Sequence, residues 1–151
     1  MAGSVRISEA ASLGLHAMAY IASMPAAEPV RVNEMARVLG VSEAHLGKVL
    51  QGLARRGFVS GRRGPKGGYV LGRPADAITL LEIYEAVEGP FEAMTCLLDR
   101  PVCGGGARCV MGSVIRDINR QLEEHLRRTR LSDLPFEPIE AMKALAAGAT
   151  T

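Results

Sequence analysis

Tryptophan is absent from this 151-residue chain, and phenylalanine and tyrosine supply only three side chains each. The core must therefore be built from aliphatic residues, Ala and Met, a stock that suits helices better than a β-sandwich. Long apolar runs are missing too: none approaches the ~20 residues a membrane-spanning helix needs. Cysteine is scarce and odd in number, three in all, which disfavours a disulfide framework and suits a reducing cytosol. The N-terminus imitates a secretory signal, with Arg6 before an apolar stretch to Ile21, but Glu9, Ser12 and His16 interrupt it. Ile7, Ala11, Leu15, Met18 and Ala22 step by three or four, as on one helix face, and Ser8 stands where an N-cap belongs. The expected location is the cytoplasm. A large net charge is lacking as well: the total is only +2, with 48% hydrophobic and 23% charged residues. These values exclude disordered, collagen-like and repeat-built polymers and leave one ordinary domain, or a small domain with an appended helix.

The distribution of charge says more than its sum. Residues 31–75 carry nine basic side chains against Glu34 and Glu43, a local excess of +7. The flanks sum to −1 before this stretch and −4 after it. A basic middle between neutral and acidic flanks is the footprint of a phosphate-binding surface, or of a solvated basic face.

Turn and cap signals divide that middle into short elements. A first helix is predicted from Ser8 to about Ser23, stopping before Pro25. Asn33 is expected to cap a short helix through Leu39, with Gly40 as the left-handed residue that ends it. Ser42 then caps a longer helix through Arg56, ended by Gly57. Met35, Ala36 and Leu39 face inward from the first of this pair, and Leu46, Val49, Leu50 and Leu53 from the second. Two helices joined by a three-residue Gly-containing turn make a helix-turn-helix. Phe58–Arg62 and Gly68–Leu71 read as short strands around a Gly/Pro turn, a basic hairpin placed as a wing. Ile78–Val87 adds a helix capped by Asp76 or Thr79.

The expected fold is mainly α with a small β-hairpin: a winged helix-turn-helix domain over 1–90, a cysteine loop over 91–109, a dimerisation helix over 110–135, and a flexible Ala-rich tail over 136–151. The long helix, from Cys109 to about Arg128, carries Met111, Ile115, Ile118, Leu122 and Leu126 as an apolar stripe. On the opposite face Glu123–Arg127 and Glu124–Arg128 form i,i+4 pairs. That stripe needs a partner, either the first helix of its own chain or its twin in a homodimer.

A helix entering the major groove presents its N-terminal residues to base edges, here Ser42, Glu43, Ala44, His45 and Lys48. Ser42 and the free N–H groups of the first turn can hold a phosphate, Lys48 or His45 can donate to guanine, and the Ala44 methyl can meet thymine. Arg62, Arg63 and Lys66 at the hairpin tip fit phosphates or a narrow minor groove. Arg55 and Arg56 equally suit the negative end of their own helix.

Six residues separate Cys96 from Cys103, and five separate Cys103 from Cys109. Zinc knuckles pair ligands about two to four residues apart, so a structural zinc site fits poorly. Three thiolates on a wide loop with Gly104–Gly106 could wrap an iron–sulfur cluster instead, with Arg100 and Arg108 adding positive charge; three free thiols, some redox-active, are the other reading.

From about residue 5 to 135 the sequence resembles the bacterial IscR/NsrR family of winged-helix transcription factors. The resemblance rests on Arg6-Ile7-Ser8, on Val41-Ser42 with Leu46, on Leu53-Ala54-Arg55-Arg56-Gly57-Phe58-Val59 and on the wing Arg62-Arg63-Gly64-Pro65-Lys66-Gly67-Gly68-Tyr69. Gly72 with Pro74, Ile78-Thr79-Leu80 and the cysteine triplet before a long helix continue it. It implies a homodimer on a pseudo-palindromic operator in double-stranded DNA, an iron–sulfur cluster ligated by Cys96, Cys103 and Cys109, and Arg63 in the minor groove. It also implies that cluster state decides DNA binding.

Two positions depart from the family pattern. Relatives with a histidine ligand carry it three residues after the last cysteine, where this chain has Gly112, and relatives that borrow an aspartate carry it where this chain has Ser12. Ser12, Glu9 or His16 from the partner's first helix are the candidate fourth ligands, with a water or a small thiol as further options, and the missing histidine slightly favours a 4Fe-4S over a 2Fe-2S cluster.

The expected function is a dimeric regulator, a repressor, whose cluster senses nitric oxide, redox state or iron–sulfur status. The alternative is a cluster-free regulator of the same fold, controlled by cysteine oxidation or a partner protein. An enzyme is disfavoured, since His16, His45 and His125 lie far from the cysteines in sequence and no phosphate-cradling loop appears. A dimeric adaptor without DNA binding would show no salt-sensitive binding to duplex.

Overall fold

The computed structural model describes residues 7–98, 102–104, 106–135 and 137. Arg6, Arg100, Gly105 and all of the expected tail except Glu137 lie outside the described residues. In chain order the elements are α1 (Glu9–Ser23), α2 (Val32–Leu39), α3 (Glu43–Arg55), β1 (Val59–Arg62), β2 (Gly68–Leu71), α4 (Leu80–Glu88) and α5 (Val110–Arg128), with short 3-10 turns at Ala75–Ala77, Gly106–Arg108 and Leu131–Asp133.

The caps explain most of these limits. Ser8 caps α1 by accepting from the Ala11 N–H at 3.0 Å, and Ser42 caps α3 by accepting from His45 N–H at 3.1 Å. Gly40 (φ 68°) ends α2 in the left-handed region, as expected. The start of α2 differs from expectation: the helix begins at Val32 with Arg31 as an uncapped N-cap residue, and the Asn33 side chain accepts only from the Glu34 N–H. Asn33 is thus inside the first turn, too late to cap. For α4 the cap is Thr79, which with Glu82 forms a reciprocal capping box, while Asp76 sits in the preceding 3-10 turn. The Thr79 backbone N–H, donating at 2.8 Å, is the main reason the Glu82 carboxyl lies below the usual range.

α1 is not the one-sided helix its spacing suggests. Ala11, Leu13, Gly14 and the whole run Ala17–Ile21 are buried, whereas Ile7 lies before the helix and is 41% exposed. α1 packs against α2, α3, α4 and β2, which makes it the central element. Tyr20 closes one side by donating to Glu34 on α2 at 3.0 Å. Burial first, and then the Glu34 carboxylate, push this phenol from 10.0 up to about 12. The folded value lies above the unfolded one, so the stability it contributes is complete below pH 10 and is lost as the pH rises to about 12. A phenolate absorbance titration should show one tyrosine ionising near the top of that range, and the alkaline loss of stability should be weaker in Tyr20→Phe.

The core runs from α1 through Met35, Leu46, Leu50, Leu53, Ile78 and Ile83 to Leu126 and Leu131 near the C-terminal end. Within the chain α5 packs chiefly on α4, and the Leu131–Asp133 turn that follows it reaches α1. Paired hydrogen bonds, Leu80 N–H to Thr129 O at 3.0 Å and Leu131 N–H to Ile78 O at 2.8 Å, fasten the end of α5 to the start of α4. The apolar stripe on α5 divides: Ile115 and Leu126 are buried with Gly112 and Asn119, while Met111 and Ile118 join Val110 and Val114 on an exposed apolar face. The ion pairs Glu123–Arg127 and Glu124–Arg128 form as expected.

Candidate DNA surface and cysteine hollow

β1 and β2 pair antiparallel, Val59 with Leu71 through Arg62 with Gly68, and Arg63–Gly67 form the tip. On its outer edge the hairpin is joined by a single residue of the α1–α2 connection: Val30 N–H donates to Tyr69 O at 2.9 Å, and Tyr69 N–H to Val30 O at 2.8 Å. Arg31 adds a bond from Nη2 to Pro65 O at 2.7 Å, which ties the tip to the N-terminus of α2. Arg62 donates to Ala27 O at 3.0 Å and so braces the hairpin while exposed. Arg63 and Lys66 are exposed, and among the described residues neither has an ion-pair or hydrogen-bond partner. Sequence reasoning misses the bracing by Arg31; its only signal there is a basic residue beside the loop that faces the hairpin.

On α3, Ser42, Ala44 and Lys48 are exposed, and His45 is half-buried with Nδ1 3.7 Å from Glu9 Oε1. The buried Leu46, Val49, Leu50 and Leu53 hold the opposite face of the helix. The chain therefore presents the first turns of α3 and, on a braced hairpin tip, the Arg63 and Lys66 side chains, which have no partner among the described residues.

The cysteines lie elsewhere. Cys96 and Cys109 are half-buried and Cys103 is exposed, none of them in a disulfide, and they line one hollow of about 290 Å³ with Thr95, Gly106, Ala107 and Arg116. Two backbone N–H groups point at sulfur: Leu98 to Cys96 Sγ at 3.5 Å, and Gly112 to Cys109 Sγ at 3.3 Å. Cys109 is itself the N-cap of α5. Among the described residues no three His, Cys, Asp or Glu side chains close around a single metal position. Three soft sulfur donors spread around one hollow, with N–H groups directed at two of them, fit a thiolate-ligated cluster better than a lone ion. Gly112 matters to that packing: a Cβ there would lie 2.9 Å from the Thr95 carbonyl oxygen. Glu9, Ser12 and His16 line a separate hollow of about 220 Å³ with Leu13, Leu39 and Val41, and His16 Nδ1 lies 2.7 Å from Ser12 O. The structure brings the three cysteines together but sets these three residues on another face of the same chain.

Comparison with known proteins identifies the architecture. Residues 7–136 match the Rrf2 family, described as an iron-dependent transcriptional regulator. The chain belongs to the Rrf2 family. Over 106 residues it is 32% identical to the HTH-type transcriptional regulator IscR of Erwinia tasmaniensis, a match covering 70% of this chain and 64% of that relative's length. Against IscR of Escherichia coli it is 30% identical over 130 residues, 86% of this chain and 80% of the relative. Among solved structures it is similar to CymR of Bacillus subtilis, the global cysteine regulator, with a TM-score of 0.70 and 29% identity over 85% of this chain and 95% of that one. As an Rrf2 protein the chain is a DNA-binding transcriptional regulator and not an enzyme, and its helices and two-stranded hairpin are the winged-helix fold the sequence predicted. No helix among the described residues is long and apolar enough to cross a membrane.

Proposed function

We propose that this Rrf2 protein is a cytoplasmic homodimeric repressor that binds a pseudo-palindromic operator with an affinity set by an iron–sulfur cluster on Cys96, Cys103 and Cys109. The observation that carries the reading is the shared hollow lined by all three cysteines at the start of α5. A bound cluster would supply redox and nitric-oxide-reactive chemistry, and the signal is nitric oxide, redox state or iron–sulfur supply. Ser12, Glu9 or His16 of the second protomer is the fourth donor, and a 4Fe-4S form is favoured over 2Fe-2S.

The chain's own residues divide the work. Ser42, Ala44, His45 and Lys48 on α3 face base edges and the adjoining phosphates, with Arg62, Arg63 and Lys66 of the wing on the backbone or in the minor groove. Val110, Met111, Val114 and Ile118 on α5, each at least 39% exposed, form the dimer face. Cys109 caps that same helix, so a change at the cysteines acts on the element that sets the distance between the two copies of α3. That distance must match half-sites about 34 Å, or a multiple, apart.

The deciding experiment is a visible absorption spectrum with iron and sulfide assays on anaerobically purified protein, followed by binding of the loaded and unloaded forms to a selected operator. About four irons per chain support the larger cluster and about two the smaller. Equal affinity of the two forms ends the switch, because a ligand must distinguish two states to shift them. The exposed Cys103 thiol supports a second reading, a cluster-free regulator controlled by cysteine oxidation or a partner protein. Iron-free, colourless protein that resists reconstitution would favour it.

The wing has its own signature in salt. In Arg63→Ala/Lys66→Ala, operator binding should weaken, and the slope of log affinity against log salt should flatten by about 0.9 for each phosphate no longer neutralised. An unchanged slope would show that neither residue touches the DNA backbone.

A further inference from the structure

α5 carries two side chains that reach back to the cysteine segment. Asn119, 4% exposed and the one buried polar residue among those described, donates from Nδ2 to Met94 O at 3.0 Å and to Ile115 O at 2.8 Å. Arg116, one turn earlier and lining the cysteine hollow, donates from Nη2 to Ala107 O at 3.2 Å. Met94 stands two residues before Cys96, and Ala107 two residues before Cys109. Between the two anchors, Gly112 leaves the room in which the Thr95 carbonyl lies against α5. A buried amide that left one of these carbonyls unpaired would cost free energy, so the contacts are specific rather than incidental.

From this geometry we infer that Arg116 and Asn119 are positioning residues, a two-point latch that holds both arms of the cysteine segment closed on α5 before any metal is bound. The latch keeps Cys96 and Cys109 half-covered and facing one hollow, which lowers the ordering cost of filling it. It also makes the segment and α5 move as one body. The inference rests on reading the three cysteines as one binding site, but it concerns the metal-free chain and is tested there.

The test is site-resolved alkylation by iodoacetamide of full-length, reduced, metal-free protein at one pH, read by mass spectrometry. The exposed Cys103 serves as internal reference. Asn119→Ala should raise the rate at Cys96 relative to Cys103 by about threefold to tenfold, the opening expected from loss of one net hydrogen bond. Arg116→Ala should do the same at Cys109, and Arg116→Lys, which retains the charge and a donor, should partly restore the slow rate. Removing a cation disfavours thiolate, so a faster reaction reports access and not activation. Asn119 is buried and its variant could lose stability, so thermal midpoints are measured in parallel; Arg116 is only half-buried and supplies the independent test.

Rates that rise selectively while the midpoint of Arg116→Ala is unchanged support the latch. Unchanged ratios, or an equal rise at all three cysteines, overturn it. Because no metal is present, a chain that never takes up iron can still show the latch, and a chain that takes up iron can still lack it.

Discussion

Gly68→Ala is expected to detach the wing and to lower operator affinity by at least about tenfold while leaving the helices folded. A Cβ on Gly68 would lie 2.4 Å from the Val30 carbonyl oxygen and 2.7 Å from the Val30 carbonyl carbon. Both atoms are backbone, so no side chain can swing away to relieve the clash. The φ of +156° is a second obstacle, since L side chains rarely adopt it. Relief requires Val30 to withdraw, which breaks its two bonds with Tyr69. Overpacking and the broken pair together should cost about 2–4 kcal/mol locally. Gly61→Ala, one strand away, is the control: its Cβ would meet only Tyr69 Cε1 at an ordinary 3.7 Å. Urea unfolding and operator binding of the two variants side by side check the expectation, and equal behaviour would show that the Val30 bridge does not anchor the wing.

Cys103→Ser and Cys109→Ser are expected to keep the fold and to lose the proposed cluster, by different physical routes. Cys103 is exposed, so its replacement should change stability by no more than about 0.5 kcal/mol. Cys109 caps α5 through a sulfur that accepts from the Gly112 N–H, and serine is a preferred residue at that position, so the helix should be at least as stable. In both variants the visible absorption and bound iron of anaerobic protein should fall by about tenfold, since an oxygen donor replaces a thiolate. The difference in operator affinity between loaded and unloaded protein should vanish with it. Full iron retention in both would overturn the assignment of these cysteines.

The sequence by itself determined the helix-turn-helix, because its signals are local. Ser42 at the start of α3, Gly40 in the turn and the Leu46, Leu50 and Leu53 spacing each act within a few residues, and each appears in the fold as read. The hairpin was legible for the same reason, from two short runs around Gly and Pro. Where a neighbour decides, local signals fall short. Spacing marks α1 as one-sided, yet contacts from α2, α3, α4 and β2 bury most of it. Spacing also assigns α5 one stripe, which the fold divides into a buried row and an exposed row.

The site shows the same division. Cysteine spacing argued against a zinc knuckle and marked a wide binding loop, but nothing local could tell that all three thiols would line one hollow. Only the tertiary structure decided that Arg116 and Asn119 hold its arms, that Arg31 and Val30 hold the wing, and that Arg62 braces it while Arg63 and Lys66 meet no partner among the described residues. The bonds named here end on backbone carbonyls, or run across the edge of a strand, and most join residues 25 or more apart in the chain. A carbonyl has the same chemistry at every residue, so its partner leaves no mark in the sequence until packing brings the two together.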